Sequence, residues 1–298
     1  MTGNFIEKII LMENTLKAES AGTIAIGGDL KVNRFGYGAM RITGTGIWGP
    51  PKDKDECLSV LKKALELGIN FIDTADSYGP YISEELIAEA LFPYPKDLVI
   101  ATKAGLERSG PNQWNPNGHP EHLKFALEGS LKRLKLDQID LYQLHRIDPK
   151  VPMEDSLGFL KDMQTKGLIR HIGLSEVSVE EIEKAGKLIN VVSVQNLYNL
   201  SQRKWEPVLD WCEKNQAAFI PWYPLSAGNV KADHLLQTYS VKYNATPYQI
   251  ALSWLLKHSP SLLPIAGTSS SLHLEENIKA LDIHLSEEDN QELNQISL

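Results

Sequence analysis

Cysteine is scarce: Cys57 and Cys212 are the only two among 298 residues. Two thiols are too few for a disulfide framework or a CxxC metal site, so the fold must be held by buried apolar surface. Both fall in amphipathic helical patterns, where a small buried thiol packs as a hydrophobe. Long apolar runs are missing too, and none approaches the ~18 residues needed to cross a bilayer. The opening MTGNFIEKIILM has four consecutive apolar residues at most and no cleavage pattern, so it does not read as a secretory signal. A cytoplasmic protein without a membrane partner is expected. Positive charge is also in deficit, with Lys+Arg 30 against Asp+Glu 38 and a formal net charge of −8. That balance argues against nucleic acid or an anionic membrane as the main partner. A small anion remains admissible, because a local nest of backbone N–H groups holds one whatever the global sign.

What is present is an ordinary globular mixture, 42% hydrophobic and 23% charged, which excludes bulk disorder and coiled coil. Short β-branched or aromatic runs recur at 33–40, 69–74, 98–102, 138–144, 168–174, 190–195, 217–222 and 262–266. Most are continuously apolar, as parallel strands covered on both faces should be. Helical periodicities separate them, at 56–68, 83–91, 120–134, 153–167, 178–189, 204–214 and 246–258. Ser83 stands before its helix, Pro120, Pro152 and Pro247 open others near the first position, and Gly68 and Gly167 close two. Eight strand–helix units in about 265 residues fit a (β/α)₈ TIM barrel of the α/β class. The first strand ends Gly36-Tyr37-Gly38-Ala39-Met40, without the G-x-G-x-x-G of a doubly wound dinucleotide fold. GTIAIGGDLKV before it alternates around Gly27-Gly28-Asp29, a hairpin signal placed to cap the bottom of the barrel. Extra helices are expected after the last strand. Residues 1–20 read as an N-terminal extension and 21–298 as one barrel domain.

Three long connections, 41–55, 103–120 and 223–245, all follow the C-terminal end of a strand. That is the face on which barrel enzymes build their sites. The strand ends deliver Asp73 with Tyr78 shortly after, Lys103, His145, Ser175, Gln195, Trp222 and Gly267-Thr268-Ser269. Singly, each has a bland explanation: a helix cap, a solvated lysine, a histidine bonded to a local carbonyl, a packing aromatic. A closed barrel makes them converge, and the bland readings weaken together. No metal-ligand cluster, serine elbow or flanking carboxylate pair is present. A Tyr beside a Lys donates a proton readily, because the ammonium stabilises the phenolate and lowers the pKa from about 10. Asp73 would hold Lys103, and His145 would bind a substrate oxygen. No side chain is placed to attack carbon, so an external hydride donor completes the chemistry.

The motifs NFIDTADSYG, VIATKAG, IDLYQLHRID, GLIRHIGLSEVS, VQNLYN and IAGTSSSLHLEEN, in this order and spacing, resemble the aldo-keto reductase family. The resemblance covers about residues 22–298 and is nearest to a bacterial branch that includes pyridoxal reductases. It implies NADPH-dependent reduction of a small carbonyl substrate, with NADH as a possible substitute, and Asp73, Tyr78, Lys103 and His145 as the catalytic tetrad. For the cofactor it implies Gly38, Met40, Asp73, Ser175, Gln195 and Trp222 around the nicotinamide. Leu225, Ser226 and Gly228 would meet the pyrophosphate, and Gly267, Thr268, Ser269, His273, Glu276 and Asn277 the adenosine end. Trp48 and Trp114, with Tyr78 and His145, would wall the substrate pocket. Three positions depart from the usual pattern: Glu176 for Asn, Trp222 for Tyr, and His273 for Arg. The family also includes potassium-channel β subunits, so a cofactor-binding sensor with little turnover is the alternative reading. The oligomeric state is left open.

Overall fold

A computed structural model of the chain describes residues 16–225 and 234–296. It opens with the predicted hairpin, β1 (Thr23–Ile26) antiparallel to β2 (Leu30–Asn33), around the left-handed glycines Gly27 and Gly28. There follow β3 (Tyr37–Gly38), α1 (Lys54–Glu66), β4 (Phe71–Asp73), α2 (Ile82–Leu91) and β5 (Val99–Ala104). The next elements are β6 (Leu106–Gly110), β7 (Gln113–Pro116), α3 (Pro120–Leu134), β8 (Ile139–Leu144), α4 (Met153–Thr165) and β9 (Ile169–Ser175). The remainder is α5 (Val179–Ala185), β10 (Val191–Gln195), α6 (Glu206–Asn215), β11 (Ala218–Phe219), α7 (His234–Lys242), α8 (Pro247–His258), α9 (Ser271–Ile278) and α10 (Glu287–Leu293). Among the described residues no helix is long and apolar enough to cross a membrane.

Seven strands form one parallel sheet in the order β11-β10-β9-β8-β5-β4-β3. The eighth predicted strand, 262–266, closes it through isolated bridges, Leu262 to Phe219 and Ile265 to Gly36. Leu263 N donates to Phe219 O and Gly36 N to Pro264 O, both at 2.9 Å. Pro264 has no N–H to give, so this segment cannot build a regular ladder. At the top of the same seam the backbones nearly touch: a Cβ on Gly267 would meet Gly38 O at 2.3 Å. Only glycine fits there.

Inward positions alternate along each strand. At the bottom they are apolar, and Phe71, Val99, Ala101, Leu141, Val192, Ile220 and Leu263 cluster with Ile26, Leu30 and Val32 of the hairpin, which plugs that end. Helices cover the outside of the sheet with a second, larger cluster.

Several local expectations need correction. The connection after β5 is not an open loop: β6 and β7 pair antiparallel within it, turning at Pro111-Asn112, where Asn112 takes φ 56°. Ser83 does not precede its helix. Tyr81, at φ 70°, stands at the N-cap of α2, and Ser83 lies inside the first turn with its hydroxyl donating to Ala39 O. Pro152 is the N-cap residue of α4 rather than its first residue. The stretch 16–20 is not separate from the barrel: Ala18 is fully buried, and its N–H donates to Leu67 O at 2.8 Å.

Candidate active site

The polar residues at the mouth continue the same alternation that is apolar below. Phe71 leads to Asp73 on β4, Ala101 to Lys103 on β5, and Leu141 to Gln143 on β8 and then to His145 just past its end. On β9, Gly173 leads to Ser175. On β10 the pairing register shifts between Val191 and Ser193. Val192, the extra residue within that irregularity, faces inward, and Gln195 reaches Asp73 above it. A bulge moves the alternation by one residue, which is what this change of parity requires.

Lys103 is completely buried and donates to Asp73 Oδ1 at 2.6 Å, to Thr74 O at 2.7 Å and to Tyr78 Oη at 3.3 Å. The other oxygen of Asp73 accepts from Gln195 Nε2 at 2.8 Å and Gln143 Nε2 at 3.1 Å. A buried ion pair survives when its remaining lone pairs are satisfied in this way. Burial pushes Lys103 toward neutrality, but the Asp73 carboxylate and the phenol of Tyr78 outweigh it, and the ammonium is held above its ordinary pKa. Tyr78 departs from expectation. Burial raises its pKa above the usual phenol value, and the opposing pull of Lys103 only partly offsets this. The phenol therefore keeps its proton. His145 lies well below its ordinary value because it is buried and faces Lys103, Arg146 and Arg108. It is a neutral imidazole. Its Nδ1 lies 3.3 Å from Ser77 Oγ, and a hydroxyl donating there leaves the ring proton on Nε2.

Tyr78, His145 and Trp114 meet edge to face, with ring centroids 5.9–6.5 Å apart. Behind them stands Arg108 of β6, 3.6 Å from the Trp114 ring centroid and 5.7 Å from that of Trp48. Its N–H groups reach the carbonyls of Gln113, Ile47, Ser77, Gly46 and Gly110. One guanidinium thus ties the 41–55 connection, the β6–β7 hairpin and the Tyr78 turn into a single wall.

On the opposite side, Ser175 Oγ accepts from Arg146 at 2.9 Å. Glu176, at φ 55°, turns its carboxylate back to Leu197 N at 2.6 Å and Trp222 Nε1 at 2.7 Å. Trp222 is thereby pinned by its edge and remains partly exposed. Gly38 sits at the seam beside Gly267, Met40 lies in the short 3₁₀ turn that follows it, and Thr268 O accepts from Tyr37 Oη at 2.5 Å. Ser269, His273 and Glu276 are exposed and Asn277 is buried. The first amide of α9, Ser271 N, donates to the Glu56 carboxylate at 2.6 Å. Leu225 packs against the outer core, while Ser226 and Gly228 lie outside the described residues.

Sequence reasoning missed Ser77, Arg108, Gln143 and Arg146. Gln143 had a signal: it is two residues before His145, and an amide inside an apolar strand marks the inward face. Arg146 had only adjacency to His145, and Arg108 had none.

The sequence model of the aldo/keto reductase family matches residues 34–298. An uncharacterized oxidoreductase of Schizosaccharomyces pombe is 55% identical over 276 residues, 92% of this chain and 90% of the relative. Pyridoxine 4-dehydrogenase of Escherichia coli is 41% identical, over 90% of this chain and 96% of its own. Among solved structures, a thermostable aldo-keto reductase in complex with the inhibitor epalrestat superposes with a TM-score of 0.80 at 31% identity, covering 92% of this chain and 99% of that one.

Proposed function

The chain belongs to the aldo/keto reductase family, and we propose that it reduces an aldehyde or ketone to the alcohol, with NADPH preferred and Tyr78 as proton donor. It is an NAD(P)H-dependent oxidoreductase by membership. The observation that carries the mechanism is the buried chain Asp73–Lys103–Tyr78 beside a neutral His145.

The residues at the mouth suit a nicotinamide. Gln195 spends its Nε2 on Asp73 and keeps Oε1 as an acceptor, while Ser175 accepts from Arg146 and keeps its own proton to donate. Together they match the amine and oxygen of a carboxamide, and the edge-pinned indole of Trp222 offers a face for stacking. A nicotinamide held by these residues would supply the hydride for the carbonyl carbon. Everything else falls to the chain. His145 Nε2–H and Tyr78 Oη–H bind the carbonyl oxygen, and as the C=O π bond breaks, that oxygen takes the Tyr78 proton. The phenolate left behind lies beside the Lys103 ammonium and is reprotonated from solvent. Tyr78 held above its ordinary pKa is a poorer acid in the resting site, but the developing alkoxide is a far stronger base than water. Preferential binding of charge as it forms is where such a donor contributes most.

NADPH preference is supported by the hydroxyl-rich turn at 268–271, ahead of His273. Planar aromatic walls, and a relative that is a pyridoxine 4-dehydrogenase, support an aromatic aldehyde such as pyridoxal. The test is a panel of aldehydes, pyridoxal included, with NADPH and with NADH. Turnover of aromatic aldehydes with NADPH is expected. Tight NADPH binding without turnover of any of them would replace this reading with the sensor role.

A further inference from the structure

Two arginines flank the tetrad, and they differ in what they have left to give. Arg108 has five N–H groups and five backbone carbonyls to receive them. It is saturated, and its role ends with building the wall. Arg146 uses only Nη1, toward His145 O at 2.6 Å and Ser175 Oγ at 2.9 Å. Its Nε and Nη2 have no partner among the described residues, and the side chain is only half-buried. Among the described residues no carboxylate lies within ion-pair distance of it. Glu176 acts on Arg146 only through space, without a hydrogen bond to it, and holds Leu197 N and Trp222 Nε1 with one carboxylate oxygen. Asp73 is consumed by Lys103 and two glutamines. A partly desolvated guanidinium with open donors at the rim of a reaction site is a receptor for an anionic oxygen. Its anchors, His145 O and Ser175 Oγ, and its electrostatic effect on both His145 and Tyr78 put the guanidinium beside the reacting carbonyl.

We propose that Arg146 determines substrate specificity by binding an anionic oxygen adjacent to the reacting carbonyl, so that the preferred substrates are planar aldehydes bearing such a group. This rests on the reductase reading above. A neutral His145 reinforces it, since the imidazole contributes no charge of its own and selection for the anion falls to Arg146.

The test compares two aldehydes that differ only in that oxygen, 3-hydroxypyridine-4-carbaldehyde and pyridine-4-carbaldehyde, on the full chain with saturating NADPH. R146Q should lower kcat/KM for the hydroxylated aldehyde about tenfold to a hundredfold more than for the plain one, the range for losing charge-assisted hydrogen bonds. The loss should appear mainly in KM, and R146K should recover part of it. NADPH affinity, measured by fluorescence titration, should change little. Equal losses for the two aldehydes would overturn the proposal and make Arg146 a support for His145. A weakened NADPH Kd without discrimination between aldehydes would also overturn it and assign Arg146 to the cofactor. If the wild-type chain binds NADPH but reduces neither aldehyde, the reductase reading fails first and takes this proposal with it.

Discussion

Tyr78 is set by competition between burial, which holds its proton on, and Lys103, which draws it off. Replacing it with Phe removes the hydroxyl and keeps the ring against Trp114 and His145. General acid catalysis contributes about 10²–10⁴-fold, so Tyr78→Phe should lower kcat by that factor with NADPH Kd nearly unchanged. Lys103→Met should lower kcat as well, and the double variant should lose far less than the product, because the two act as one unit. Steady-state kinetics and cofactor titration check all three. The same environment shapes the pH profile. His145 is depressed below ~6.5 and stays neutral as pH falls through that value, and Tyr78 is raised above ~10 and stays protonated as pH rises toward it. The kcat/KM profile should therefore be flat across the neutral range. An inflection near the ordinary histidine value would show that His145 is exposed to protonation in the working enzyme.

At the level of elements, small irregularities aim the site. The register shift in β10 lets Gln195 reach Asp73, and the unpredicted β6–β7 hairpin carries Arg108 and Trp114 to the mouth. The α1–α9 contact bears on cofactor choice. Glu56 caps Ser271 N and places a negative charge where a 2′-phosphate would approach. A charge at a helix terminus is worth roughly 0.3–1 kcal/mol, so Glu56→Gln should tighten NADPH binding about two- to fivefold while leaving NADH nearly unchanged. Parallel titrations with the two cofactors decide it, and equal shifts for both would separate Glu56 from the phosphate.

For the whole molecule, closure and function occupy opposite ends. The hairpin plug and the turn at Ala18–Ala21 seal the bottom, while Asp73, Tyr78, Lys103 and His145 lie at the top. The segment around Ala18 is therefore part of the packed barrel. A chain beginning at Leu16 keeps Ala18 and its hydrogen bond to Leu67 O. One beginning at Ala21 loses the buried Ala18 and its hydrogen bond to Leu67 O, and should be destabilised by about 1–2 kcal/mol. Both should retain kcat, as calorimetry alongside kinetics would show. A large drop in kcat for a folded truncation would mean that the N-terminal segment reaches the site.

The sequence by itself determined the alternation of strands and helices, the bottom hairpin, and the convergence of Asp73, Tyr78, Lys103 and His145 on one mouth. These follow from local periodicity and from the geometry that closing eight strand positions imposes. Only the tertiary structure decided the rest, because the deciding contacts join residues far apart in the chain. Gln195 meets Asp73 across 122 positions, and Arg108 meets Ile47 across 61. The raised pKa of Tyr78 depends on how deeply the folded barrel buries it, and adjacency to Lys103 alone suggested the opposite sign. Whether an arginine is saturated, as Arg108 is, or has donors to spend, as Arg146 has, depends on which carbonyls the fold brings within reach. No pattern along one strand records that.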